Sequence, residues 1–235
     1  MVKSQKTFSV DFESTKLVGD IMPATAQPNI LVLHGAGNSN RARYDYLRLP
    51  LAKDGLSTCA FDMVGHGDTG GSLASSNLHD RTDQAKEVIN KQMSDGPIGI
   101  IGGSMGGYTA VKLCEEHPVD RLVLVVPAAY TESAYDLNFD EEFSREIREK
   151  DSWRKSDAWR IIAKFTGQLL IVAAENDEVI PRAIPELLFE SAVSAKQRKL
   201  IFIPGATHAL NRFLADPANQ TQFSEVYEKI RQTLS

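Results

Sequence analysis

Three residue types on well-separated stretches could together carry out acyl transfer: a serine held between glycines, a carboxylate and a histidine. Ser104 lies in Gly102-Gly103-Ser104-Met105-Gly106-Gly107, after an apolar run at 98–101 and before a helix-periodic stretch at 108–116. This is G-x-S-x-G in a strand-turn-helix context. A sharp turn there lifts the hydroxyl above a sheet edge, at the positive end of the following helix. Glycines two residues on either side remove Cβ atoms that would clash in so tight a turn. A phosphate-cradling loop would need a Lys-Ser/Thr pair after its glycines, and Gly107-Tyr108 stands there instead.

A serine hydroxyl is a poor nucleophile without a base, and the base needs an acid to fix its tautomer. His208, in Pro204-Gly205-Ala206-Thr207-His208, follows the apolar run at 199–203 closely enough for its loop to return the imidazole to Ser104. The acid is expected from 174–181, where Glu175, Asp177 and Glu178 compete. Asp177 is preferred because Asp-x-x-Ile-Pro suits a loop closing into a helix, with Glu175 as the alternative. His34-Gly35-Ala36-Gly37, after the run at 29–33, is suited to supply a second oxyanion donor, the amide of Ala36, beside that of Met105. His34 itself reads as a structural hydrogen-bonding residue.

These loops need a scaffold. The segment 7–12 alternates apolar and polar residues like a half-buried edge strand. The runs at 29–33, 57–61, 98–101, 122–126, 169–173 and 199–203 are short and nearly continuous in apolar residues, as parallel strands covered on both faces are. Ala85, Val88, Ile89 and Met93, then Phe223, Val226, Tyr227, Ile230 and Leu234, recur at helical spacing. In such a sheet ligands bind beyond the carboxyl ends of the strands, where the unusual loops fall.

With 235 residues and 42% hydrophobic content, one α/β domain is expected over 1–235. A net charge of -5 argues against a nucleic-acid partner, and no stretch has the length and apolarity of a membrane span. The expectation is a cytoplasmic monomer or homodimer. Cys59 and Cys114 are too few for a disulfide framework and read as small buried residues.

Taken in order, His34-Gly35, Phe61-Asp62-Met63-Val64-Gly65-His66-Gly67-Asp68, the turn at Ser104, Val126-Pro127-Ala128-Ala129, the loop to Asp177 and Gly205-Ala206-Thr207-His208 resemble the α/β-hydrolase superfamily. The resemblance runs over about 29–234. The Phe-Asp-x-x-Gly-His-Gly-Asp and Pro-Ala-Ala segments are similar to small cinnamoyl and feruloyl esterases and to monoacylglycerol-lipase-like proteins. It implies the α/β-hydrolase fold: a mostly parallel central sheet covered by helices on both faces, with a short helical cap insertion. It also implies hydrolysis of a small ester or thioester through an acyl-enzyme, without cofactor or metal. Asp62, His66 and Asp68 then serve a tight turn rather than a metal. Gly103 stands where those esterases carry histidine and is more similar to acylaminoacyl-peptidase turns, so thioesterase, lysophospholipase and acyl-peptide hydrolase activities stay open beside carboxylesterase. A receptor without turnover is the reading from another class.

The insertion at about 129–168 holds both tryptophans and a charged, helix-prone segment. Tyr135, Leu137, Phe139, Phe143, Ile147, Trp153 and Trp159 are expected on its underside. Folded over Ser104 as a cap, it would offer Tyr130, Trp153 and Trp159 to the substrate, and its shortness predicts short to medium acyl groups.

Overall fold

Side chains alternate across a strand, so a strand buried on both faces must be apolar at every position. Ile30–Leu33 and Thr58–Phe61 are buried throughout. Ile30 and Val32 enter one core with Leu47 and Leu51, whereas Leu31 and Leu33 enter the other with Leu78 and Val88.

The computed structural model describes residues 5–24 and 27–235. In chain order the elements are β1 (Lys6–Phe12), β2 (Thr15–Met22), β3 (Ile30–Leu33), α1 (Asp45–Lys53), β4 (Thr58–Phe61), α2 (Leu78–Gln92), β5 (Ile98–Gly103), α3 (Met105–Leu113) and β6 (Val119–Val125). There follow α4 (Glu141–Arg148), α5 (Ala158–Ile162), β7 (Gln168–Ala174), α6 (Ala183–Ser191), β8 (Gln197–Ile203), α7 (Leu210–Ala215) and α8 (Gln220–Leu234). One sheet runs in the order β1-β2-β4-β3-β5-β6-β7-β8. β2 pairs antiparallel with β1 and β4, and every pairing from β4 to β8 is parallel.

Helices cover both faces, as expected. α2, α3, α4 and α6 pack on one core, and α1, α7 and α8 on the other. In α8 the buried stripe is Val226, Ile230 and Leu234, each worth roughly 1.5–3 kcal/mol of burial.

β2 escapes the periodicity because two of its residues answer to tertiary neighbours. A Cβ on Gly19 would collide with the Phe8 ring and lie 2.6 Å from the Ala60 carbonyl oxygen. Asp20 is 1% exposed and accepts hydrogen bonds from Arg48 at 2.5 Å and Arg41 at 2.6 Å. Arg48 is wholly buried, so this pair serves each charge by the other; a buried charge left alone costs several kcal/mol.

The connection after β3 goes to α1 on one face and to β4 on one side, while β5 lies on β3's other side and leads to α3 on the opposite face. Loops therefore part at the carboxyl ends of β3 and β5, which opens a crevice there.

Candidate active site

Ser104 occupies that crevice, between the last residue of β5 and the first of α3. Its φ of 51° and ψ of -118° are outside the regions an L-residue ordinarily adopts, a strain of order 1–3 kcal/mol. Close packing enforces the turn. A Cβ on Gly106 would lie 2.5 and 2.6 Å from the carbonyl oxygens of Leu33 and His34, and one on Gly102 would meet the Gly106 carbonyl. The Ser104 carbonyl accepts from the amides of Gly107 and Ala128, and its amide donates to Val125.

His208 and Asp177 reach Ser104 from the loops after β8 and β7. The amide of Asn176 donates to Ala206 and that of Glu175 to Ile203, which ties the two loops together. The His208 ring then lies with Nε2 3.1 Å from Ser104 Oγ and Nδ1 2.9 Å from Asp177 Oδ2. Asp177 Oδ1 accepts from the amides of Val179 and Ile180 at 2.9 and 2.8 Å. Burial raises the Asp177 carboxyl, but the His208 and backbone hydrogen bonds outweigh it and hold its pKa below the ordinary carboxylate value. Glu175, the alternative acid, accepts instead from the Gly205 amide at 2.8 Å.

The loop after β3 is clamped by buried polar contacts. His34 Nδ1–H donates to the Gly35 carbonyl at 2.7 Å, and Nε2 accepts from the Met63 amide at 3.0 Å. Arg81, 1% exposed, donates to the His34 carbonyl at 2.6 Å. Gly35 approaches so closely that a Cβ on it would lie 3.1 Å from that of Ser104. Ala36 lines the cleft at Ser104, and Met105 heads α3, where an amide has no intrahelical acceptor.

Burial, then Arg81 and His66, pushes His34 well below the ordinary histidine pKa of 6.5. Only the unfolded chain takes up this proton, so stability is full above about pH 6.5 and is lost as pH falls from there toward the depressed folded value. Thermal unfolding of wild type and His34→Gln between pH 7.5 and 5 should show a steeper fall of Tm for wild type. Parallel curves would mean His34 does not carry this acid sensitivity.

Asp62 organises the turn that follows β4. Its carboxylate accepts from the Arg41 guanidinium, the Arg41 amide and the Asp68 amide. A side chain on Gly67, at φ 48°, would strike Asp62. Cys59 is buried and Cys114 half-buried, and burial pushes each thiol up to about 12.

Three predicted substrate contacts do not reach the site. The cleft of about 620 Å³ at Ser104 and His208 is lined by Tyr44, Val126, Val179, Ala209 and polar neighbours, and by no residue of 130–165. Tyr130 stacks edge-on against Tyr108, and Trp153 against Trp159. Their segment packs along α2 and α3: the Phe139 amide donates to Ser76, and buried Asp157 accepts from Tyr108 at 2.8 Å and Lys112 at 2.6 Å. Aromatic area in this insertion is spent on that packing. The expected underside residues do pack on the core, Phe143 and Trp153 buried and the others against them.

Missed by sequence reasoning were Arg81, Tyr44 and Val126. Tyr44 places its hydroxyl where a Gly103 side chain would stand, which accounts for glycine there. Val126, β-branched yet at φ 43°, lines the cleft beside Ser104.

Residues 24–150 match the family described as "Serine aminopeptidase, S33". The chain belongs to this hydrolase family. Among the relatives of this S33-family chain are the lysophosphatidylserine lipase ABHD12 of Xenopus tropicalis and a pimeloyl-[acyl-carrier protein] methyl ester esterase of Neisseria meningitidis. The first is 30% identical over 201 residues, 77% of this chain and 52% of that protein. The second is 27% identical over 178 residues, 74% and 54% of the two chains. The chain thus spans about half the length of each. The solved esterase EaEST of Exiguobacterium antarcticum superposes with a TM-score of 0.72 at 17% identity, covering 97% of this chain and 100% of the other. The fold is that of the α/β-hydrolases. No helix among the described residues is long and apolar enough to cross a membrane.

Proposed function

We propose that this chain is a serine hydrolase that cleaves a small carboxylic ester through an acyl-enzyme on Ser104. The observation that carries the reading is the continuous hydrogen-bonded line Asp177–His208–Ser104, at 2.9 and 3.1 Å. In this mechanism His208 Nε2 takes the hydroxyl proton as Ser104 Oγ bonds to the substrate carbonyl carbon. The amides of Ala36 and Met105 receive the oxyanion, a donor pair of which each member is worth about 3 kcal/mol at the transition state. Collapse breaks the ester C–O bond, and His208 returns the proton to the departing alcohol. Water then repeats the attack on the acyl group, with His208 again as base and Asp177 holding its tautomer. The mechanism needs no cofactor.

The relatives named above, a lipase and a methyl ester esterase, support ester chemistry on this triad. A thioester, lysophospholipid or acyl-peptide would be cleaved by the same steps with another leaving group. A cleft of about 620 Å³ suits a small ligand, in keeping with short to medium acyl groups. Hydrolysis of p-nitrophenyl esters from acetate to palmitate should therefore peak at short or medium chains. An optimum at palmitate would contradict this size limit.

A further inference from the structure

The cleft beside Ser104 and His208 carries two arginines, Arg43 and Arg212. Arg43 belongs to the 3-10 turn Arg41–Tyr44 that precedes α1, and Arg212 to α7, and these two elements pack against each other. Both side chains are exposed, and neither guanidinium has an ion-pair or hydrogen-bond partner among the described residues. Asn211, next to Arg212, also lines the cleft; its Oδ1 accepts from Tyr46 at 3.0 Å and its side chain also hydrogen-bonds Tyr44, which leaves one Nδ2 hydrogen as its available donor. Glu178 is the carboxylate on the lining, and it comes from the β7–α6 loop rather than from this pair of elements. In a chain of net charge -5, one end of the cleft is thus rich in cationic and amide donors. Guanidinium forks match carboxylate and phosphate oxygens in geometry as well as charge.

We propose that Arg43 and Arg212, with the Asn211 amide, bind an anionic group, carboxylate or phosphate, carried by the ester that Ser104 attacks. This rests on the catalytic reading above and adds a substrate class to it. The anion sits at the mouth and the scissile ester at Ser104, so the substrate is bifunctional. Its charge fixes which end enters.

Two substrate pairs locate the anion. Mono-p-nitrophenyl esters of dicarboxylic acids against neutral p-nitrophenyl alkanoates of equal length place it on the acyl side. 1-Butyrylglycerol 3-phosphate against 1-butyrylglycerol places it on the leaving group. In one of these arms kcat/KM is expected to favour the anionic member about tenfold, mainly through KM, with the preference weakening in 0.5 M NaCl. The ratio should fall to about one in Arg43→Gln/Arg212→Gln and below one in Arg212→Glu. A ratio near one in both arms for the wild type, or a preference that survives these substitutions, would overturn the proposal. Binding to the Ser104→Ala protein decides it independently of turnover. In the arm that shows the preference the anionic member should bind about tenfold more tightly, read with monoethyl glutarate against ethyl valerate for the acyl side and 1-butyrylglycerol 3-phosphate against 1-butyrylglycerol for the leaving group, and equal affinities in both pairs would sink the anion site even if ester hydrolysis stands. Absence of hydrolysis with that affinity difference intact would instead sink the catalytic reading alone.

Discussion

Replacement of Ser104 by alanine is expected to lower ester turnover by roughly 10⁴–10⁶-fold, the scale on which loss of a nucleophile removes covalent catalysis. Alanine is a small change at this position. It keeps the Cβ that the turn already accommodates at φ 51° and removes an oxygen whose hydrogen-bond partner is His208, itself partly exposed. The fold should survive, with a thermal midpoint within a few degrees of wild type, so the loss reports chemistry. Residual turnover comes from the remaining oxyanion donors and substrate binding. Steady-state kinetics on a p-nitrophenyl ester measures this, and a variant retaining more than about one part in a hundred of the wild-type rate would show that Ser104 is not the nucleophile.

Asp177→Asn is expected to cost about 10⁴ in kcat with little change in packing. The carboxylate accepts the Nδ1 proton of His208, which leaves Nε2 free to take the Ser104 proton. An asparagine there, with its Oδ1 held by the Val179 and Ile180 amides, would turn its NH₂ toward His208. The ring would then carry its proton on Nε2, facing the hydroxyl it must deprotonate. Glu175→Gln is the internal control: that side chain braces the Gly205 amide, and its loss should change kcat by less than about tenfold. Equal losses in the two variants would reassign the acid.

The residues of this line were legible in the sequence because each announces itself locally. Ser104 lies among glycines that a tight turn requires, and Asp177 and His208 follow apolar runs whose double burial makes them continuous. That Asp177 rather than Glu175 meets His208 follows the habit of the loop, in which Asp177 also accepts from the backbone amides of Val179 and Ile180. What could not be read depends on contacts across the chain. Arg81 meets the His34 carbonyl across 47 residues, and as an arginine within an amphipathic helix it carries no local mark. Gly19 and Asp20 hide β2 because their constraints come from Phe8, Ala60, Arg41 and Arg48. Val126 adopts positive φ against its own preference, held by the pairing of its amide with Val172. The insertion's aromatics read as one apolar underside, but composition does not say which surface that underside covers. Asp157, through Tyr108 and Lys112, fastens them to α3, and the cleft is lined by other segments, among them Arg43, Asn211 and Arg212.

An activated nucleophile at Ser104 would react with an alkyl fluorophosphonate, and peptide mass spectrometry would locate the adduct. One phosphonyl group per chain is expected, on Ser104, with no adduct in Ser104→Ala and much slower modification in His208→Ala. Modification at another residue, or an unmodified wild-type protein, would contradict it.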